Sequence, residues 1–157
     1  MIRPTTPAET DTLVRMAAGT GVFKPLEIDT LRQLLDDYHA GAEGADAHAV
    51  TVEESGVPIG FAYFAPTPMT EATWHLYWIV VDKTIQARGV GARLMAHVEG
   101  EVVRLGGRVL LIETSSLPSY ELTRKFYLKL GYEHEATVRD FYADGDDQVI
   151  FRTRLPR

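Results

Sequence analysis

The chain contains no cysteine, so disulfide scaffolds, thiolate metal sites and a cysteine nucleophile are all excluded. Basic residues are in the minority: 16 Lys and Arg against 22 Asp and Glu give a formal net charge of −6 at pH 7. That sign is wrong for a protein whose affinity comes from displacing counterions along a nucleic-acid backbone, and no nucleic-acid partner is expected. The longest apolar stretches, such as residues 79–81 and 109–112, are far too short to span a bilayer, and no apolar segment of signal-peptide type follows the N-terminus. The expectation is a soluble, cytoplasmic protein with no membrane partner. What is present is an ordinary globular mixture of 157 residues, 45% hydrophobic, 24% charged and 10% aromatic, enough for one sizeable core. A single domain over residues 1–157 is the simplest organisation.

Thr6-Pro7-Ala8-Glu9 reads as a helix start, with Thr6 as N-cap, proline at the first helical position and Glu9 completing a capping box; Gly19 and Gly21 close that helix. Leu31, Leu34, Leu35 and Tyr38 recur at i, i+3, i+4 and i+7, predicting a second helix over 25–38 that stops at Gly41 and Gly44. Residues 49–53 and 58–65 are apolar, β-branched or aromatic runs, separated by Glu54-Ser55-Gly56-Val57 in the manner of a hairpin. The density of aromatic and β-branched residues in 73–81 predicts a central strand buried on both faces. From Gly89 the period becomes helical, with Val90, Leu94, Val98 and Val102 in line, Met95 and Leu105 widening the stripe, and Gly106-Gly107 as the stop. A strand over 108–113 follows, so strand, helix and strand form a parallel, right-handed crossover. The next helix is expected over 119–130, capped by Ser119, closed by Gly131 and apolar at Leu122, Phe126 and Leu130. Two last strands, 132–142 and 148–155, flank the turn Asp144-Gly145-Asp146-Asp147. With residues 1–4 as a short first strand, the order βααβββαβαββ describes an α+β domain, a central mixed β-sheet flanked by helices.

The stretch Val81 to Gly91 carries the most chemical information, because a buried strand leads through a short loop into a helix that starts on glycines. Glycines there admit a ligand close to the backbone, and the free N–H groups at the positive end of the helix dipole attract phosphate. Arg88 and Lys83 add positive charge. Neither Gly-x-x-x-x-Gly-Lys-Ser/Thr nor Gly-x-Gly-x-x-Gly is present, and a plain helix cap with tight packing explains the glycines equally well. In context, Gln86-Ala87-Arg88-Gly89-Val90-Gly91 resembles the Gln/Arg-x-x-Gly-x-Gly/Ala signature of the GCN5-related N-acetyltransferase (GNAT) superfamily. The opening Ile2-Arg3-Pro4, the strand ending in Glu113-Thr114, and Phe126-Tyr127 followed by Gly131-Tyr132 extend the resemblance over essentially the whole chain.

The resemblance implies an acyl-CoA N-acyltransferase fold and acetyl-CoA as co-substrate, with no metal. By position, the amides of Gln86, Ala87, Arg88, Gly89, Val90 and Gly91 would hold the pyrophosphate, and the backbone of Ile79, Val80 and Val81 would pair with the pantetheine arm. The implied reaction is direct attack of a primary amine on the thioester within a ternary complex. An ammonium cannot attack, so its proton must leave, and the departing thiolate benefits from a proton donor. Tyr127 matches the tyrosine that the family places beside the sulfur; the alternative is a helix tyrosine packed beside Phe126 with its hydroxyl at the surface. Tyr120 and Thr123 stand where the family commonly has Asn and Ala. His75 lies where some relatives carry a glutamate, and alternation puts it on one strand face with Tyr77, Ile79 and Val81; it is a candidate base, or simply a hydrogen-bonded strand histidine. Glu113 is the second candidate base, acting through water, or a structural cap. The resemblance also allows a homodimer.

Other features are read as structural. His39, His48 and His134 show no zinc-type spacing, so no metal is predicted. Asp144 to Asp147 lacks the twelve-residue pattern and closing glutamate of a calcium loop. Trp74, Trp78, Tyr63 and Phe61 either line an acceptor pocket or fill the core. No Gly-x-Ser-x-Gly nucleophile motif occurs, so no covalent enzyme intermediate is expected. The acceptor, a small-molecule or peptide amine, would lie against residues 21–38 and the final hairpin, where Glu27, Asp29, Asp36 and Asp37 either steer a cationic amine or form an ordinary solvated helix face. The rival reading is a non-catalytic acyl-CoA-binding sensor or assembly protein of the same fold.

Overall fold

The computed structural model describes residues 1–42, 46–86 and 88–156. Strands β1 (Ile2–Pro4), β2 (His48–Glu54), β3 (Val57–Pro66), β4 (Thr73–Val81), β5 (Val109–Ser115), β6 (Glu133–Ala143) and β7 (Asp146–Arg154) occur with helices α1 (Thr10–Gly19), α2 (Pro25–His39), α3 (Val90–Arg104) and α4 (Glu121–Lys129) in the expected order. The strands form one mixed sheet in the order β1-β2-β3-β4-β5-β7-β6, which puts β4 in the middle as predicted. The chain divides into two compact units, each of two segments: Met1–Ala65 with Trp78–Val98, and Pro66–Tyr77 with Glu99–Arg157.

In the first unit, β1 and β3 flank β2, both antiparallel to it. The β2–β3 connection is tighter than the expected four residues: Ser55 and Gly56 alone make the turn, with φ of 51° and 79°. Two consecutive left-handed residues match the right-handed twist of the hairpin they close. At the other end, Thr6 donates its N–H to Glu9 Oε1 at 2.9 Å, as the capping box predicts. A 3-10 turn (Pro7–Glu9) precedes α1, and the Glu9 carboxylate also receives Arg3 and Thr51, tying β1 and β2 to the helix start. The core gathers Leu13, Ala17, Leu31, Leu35, Phe61 and Val80, with Phe23, Ile28 and Trp78 against it. Each fully buried leucine here contributes on the order of 1.5–3 kcal/mol. The stop expected at Gly44 lies outside the described residues.

In the second unit, β4 runs parallel to β5, pairing Thr73–Leu76 with Val109–Ile112. Strand β7 is antiparallel to both β5 and β6. Close approach at the α3–β5 junction requires Gly107: a Cβ there would lie 2.2 Å from Val102 Cγ1 and 2.9 Å from Trp74 Cδ1. Arg124 of α4 donates to the carbonyls of Ser115 and Leu117 at 2.8 and 2.9 Å, and the Ser115 hydroxyl hydrogen-bonds the buried Asp146 carboxylate. Strand β6 is exposed along its whole length and its register with β7 shifts between Val138 and Ala143. There Asp140 adopts φ 55°, its N–H bound by Asp147 Oδ1 and its own Oδ1 by Gly145 N–H.

Several expectations need correction. Strand β4 is not buried on both faces: Trp74, Leu76 and Val80 are buried, but Tyr77 is 50% exposed, because aromatic density records hydrophobicity and not whether a helix covers both sides. Helix α4 is preceded by a 3-10 turn (Pro118–Tyr120), so Tyr120 and not Ser119 occupies the cap position. Its apolar stripe is also misplaced, since Leu122 is 81% exposed and Leu130 is exposed, while Tyr127 is buried. Leu105 lies just past α3 and is exposed. Finally, β7 begins at Asp146, so the last turn is shorter than expected.

Candidate active site

In the first unit, the end of β4 leads into a folded loop. Asp82 Oδ1 accepts the N–H and hydroxyl of Thr84 at 2.9 and 2.7 Å, closing a 3-10 turn (Lys83–Ile85); those two hydrogen bonds hold its carboxyl below the usual range. Gln86 turns back, donating from Nε2 to Val81 O at 3.2 Å, so its side chain braces the loop. Gly89 has φ 80°, a conformation that an L side chain adopts only with strain, and among the described residues nothing lies within 4 Å of where its Cβ would be. Helix α3 starts at Val90, and Arg93 N–H bonds Gly89 O at 3.1 Å. The amides of Val90, Gly91 and Ala92 therefore have no acceptor within the helix and stand at its positive end beside open space, which fits a pyrophosphate. Val90 is buried, Val80 is buried, and Ile79 and Val81 are half-buried, so all of these would contribute backbone groups. The positive charge is partly answered, because Arg88 Nη2 lies 3.4 Å from Glu54 Oε1. Ala87 lies outside the described residues.

In the second unit, the two rival base candidates meet. His75 pairs in register with Leu111, two residues before Glu113, and residues two apart on a strand share a face. His75 Nε2 lies 3.1 Å from Glu113 Oε1. The other ends of both groups are held: Thr67 Oγ1 is 2.6 Å from His75 Nδ1, and Gln148 Nε2 donates to Glu113 Oε2 at 2.9 Å. The His75 side chain is 13% exposed and that of Glu113 38%, so the carboxylate is the accessible member of the pair. Tyr77 stacks on His75, ring centroids 5.4 Å apart; burial and then the Glu113 charge raise its pKa, keeping its hydroxyl protonated. The arrangement is a four-residue hydrogen-bonded array with an exposed carboxylate, able to take a proton from a bound group.

Residues 16–132 match the acetyltransferase (GNAT) family. The chain belongs to that family. A GNAT-family protein from Desulfovibrio desulfuricans, solved by crystallography, is 36% identical, with 99% of each chain covered and a TM-score of 0.94. The protein yncA from Salmonella typhimurium, solved with its cofactor acetyl-CoA, shares the fold at 16% identity and a TM-score of 0.75, covering 100% of this chain and 94% of that one. An uncharacterized N-acetyltransferase from Methanocaldococcus jannaschii is 25% identical over 85 residues, 52% of either chain, so this GNAT chain spans about half the length of that curated relative.

Tyr127 lies in the second unit, 2% exposed, with ring centroids 5.3, 5.9 and 5.6 Å from Phe126, Tyr132 and Phe151. Burial raises its pKa strongly, so the hydroxyl is protonated at neutral pH and can donate. The expected alternative, a hydroxyl at the surface of the helix, does not match this burial. Phe151 pairs with Ile112, one residue from Glu113, so Tyr127 packs on the sheet face opposite to the His75–Glu113 pair. Sequence reasoning missed Thr67, Gln148 and Tyr77 as members of the site. Only the β5–β7 register, Ser115 with Gln148, brings Gln148 to Glu113, and Thr67 arrives from a loop eight residues before His75. Among the described residues no group of three or more metal-ligating side chains occurs, and no helix is long and apolar enough to cross a membrane.

Proposed function

We propose that this chain is an N-acyltransferase that moves an acetyl group from acetyl-CoA to a primary amine of a small molecule or peptide by direct attack in a ternary complex. The observation that carries the reading is the His75–Glu113 pair, a hydrogen-bonded proton-accepting unit whose carboxylate is accessible. Family membership supplies the class of reaction, and the open, positively polarised start of α3 supplies a place for the pyrophosphate.

Acetyl-CoA, when bound, supplies an activated thioester carbonyl and a thiolate leaving group. The backbone of Ile79, Val80 and Val81 is suited to hold the pantetheine arm, since β4 runs on to Val81 past Leu76, the last residue in its register with β5. The accessible Glu113 carboxylate accepts the ammonium and takes its proton directly or through water, while its other face is held by His75 Nε2. The freed amine nitrogen bonds to the carbonyl carbon as the carbon–sulfur bond breaks. Tyr127, protonated at neutral pH, gives a proton to the departing sulfur and regains one from solvent. With no cysteine in the sequence, no thiol nucleophile competes with this direct route.

Melting the protein with acetyl-CoA, CoA, ATP and NAD in turn tests the cofactor assignment. A ligand at about 100 times its Kd adds roughly 2.7 kcal/mol to the folded state. A selective upward shift with acetyl-CoA and CoA is expected, followed by thiol release when amines are screened. Equal shifts with ATP and NAD overturn the CoA assignment, and cofactor binding without turnover on any amine class favours the acyl-CoA sensor.

A further inference from the structure

The proton-accepting pair is braced from a segment that no motif marks. Residues 67–72, between β3 and β4, hold two non-glycine residues in the left-handed region, Met69 at φ 63° and Ala72 at φ 61°. Such conformations persist only where surrounding bonds enforce them, and they gather where a structure has something to position. Here the enforcing bonds are visible. Thr67 N–H donates to Thr73 O at 2.7 Å, the Thr70 hydroxyl donates to Thr67 O at 2.8 Å, and Arg108 donates from its amide to Ala72 O and from Nε to Glu71 O at 2.7 and 2.8 Å. What these contacts fix in place is the Thr67 hydroxyl, 2.6 Å from His75 Nδ1.

A hydroxyl suits that position for a reason a purely structural contact would not need. Glu113 Oε1, as a carboxylate, can only accept, so His75 Nε2 must be the donor in that bond. In the neutral ring Nδ1 is then an acceptor, and Thr67 donates to it. When the ring gains a proton, Nδ1 becomes a donor, and the same hydroxyl rotates to accept. Thr67 thus serves both charge states without moving the ring, and Gln148 holds the far oxygen of Glu113 throughout. On the same sheet face, Glu113 of β5 and Tyr77 of β4 lie against His75, and Arg152 of β7 stands opposite Leu111, the register partner of His75; the loop contact on the ring is the neutral Thr67.

We infer that Thr67 is a positioning residue: its hydroxyl, fixed on His75 Nδ1 by the strained 67–72 loop, keeps the opposite ring nitrogen directed at Glu113 in both charge states, so that the ring steadies the carboxylate that takes the acceptor's proton. This rests on the acyltransferase reading for its catalytic meaning, but not for its physical content.

The experiment is a pH titration of His75 by long-range proton–nitrogen NMR on the full-length protein, with His75→Gln used to assign the signal. The wild-type ring is expected to be the Nε2–H tautomer above its titration. Thr67→Val keeps the shape and the loop's backbone bonds but removes a charge-assisted hydrogen bond from the cation, so the midpoint falls by about one pH unit. Thr67→Ser restores it. In kinetics the acidic limb of the kcat/KM profile moves with the His75 midpoint in each variant, while stabilisation by acetyl-CoA stays at the wild-type level. An unchanged midpoint in Thr67→Val, or a Thr67→Ser variant that behaves like Thr67→Val, overturns the inference. Loss of acetyl-CoA stabilisation in the wild type would instead sink the acyltransferase reading and leave the NMR result standing.

Discussion

Replacing Glu9 by Gln tests whether a partly buried ion pair holds the start of the chain onto the first unit. The Glu9 carboxylate accepts four hydrogen bonds: two from the Arg3 guanidinium at 2.9 and 3.0 Å, one from Thr6 N–H at 2.9 Å and one from the Thr51 hydroxyl at 3.0 Å. Only 9% of its side chain is exposed, against 25% for Arg3, so water screens the pair weakly. Burial on its own would raise the carboxyl's pKa, yet the donors outweigh it and hold the group below the ordinary range. In Glu9→Gln the volume is kept, but one acceptor oxygen becomes an amide that faces donors. Breaking a buried pair costs about 3–5 kcal/mol. Glu53 Oε2 remains 3.2 Å from Arg3 and offsets part of that, leaving a loss of about 2–3 kcal/mol. For a chain of this size that lowers Tm by roughly 4–12 °C. Because the native pKa is depressed, the stabilisation is complete above the unfolded carboxyl value of about 4.3 and is lost as pH falls through the folded value. Melting curves by circular dichroism, taken from pH 7 downward, should therefore show a wide gap between wild type and Glu9→Gln that closes in acid. A gap of under about 1 °C at pH 7, or one that stays constant with pH, refutes the electrostatic account.

Two further outcomes follow from the second unit. Tyr127→Phe should melt close to wild type, because the ring stays packed against Phe126, Tyr132 and Phe151, yet lower kcat by about 10²-fold or more, as expected for loss of a general acid; unchanged thiol release would make Tyr127 a core residue only. Gly107→Ala places a methyl group 2.2 Å from Val102 Cγ1, and urea unfolding should show a loss of about 1–3 kcal/mol, whereas wild-type stability would mean that the α3–β5 junction yields freely.

Much of the fold was legible because burial and period agree in its longest elements. Val90, Leu94, Val98 and Val102 are all buried in α3, and residues 73–81 are a strand in the middle of the sheet. Helix α4 was misread for a tertiary reason: Arg124 bonds the carbonyls of Ser115 and Leu117, and that anchoring, not the spacing of Leu122, Phe126 and Leu130, decides which side turns inward. The site was half legible. His75 and Glu113 stood out separately as competing bases, since 38 residues separate them and only the parallel register of β4 with β5 makes them neighbours. Thr67 and Gln148 gave no signal, because a threonine in a turn and a glutamine in a strand have ordinary uses until their partners are known.

The register break in β6 bears on how the protein behaves at high concentration. An outermost strand of eleven residues, exposed from end to end, offers a row of unpaired amides and carbonyls to any other extended chain. A straight strand there would template sheet growth from molecule to molecule. Asp140, turned into the left-handed region and bound at both its amide and its carboxylate within its own hairpin, breaks the run between Val138 and Ala143. The exposed Phe141 and Tyr142 lie inside that broken stretch. The most adhesive part of the edge is thus the part least able to accept a flat partner strand.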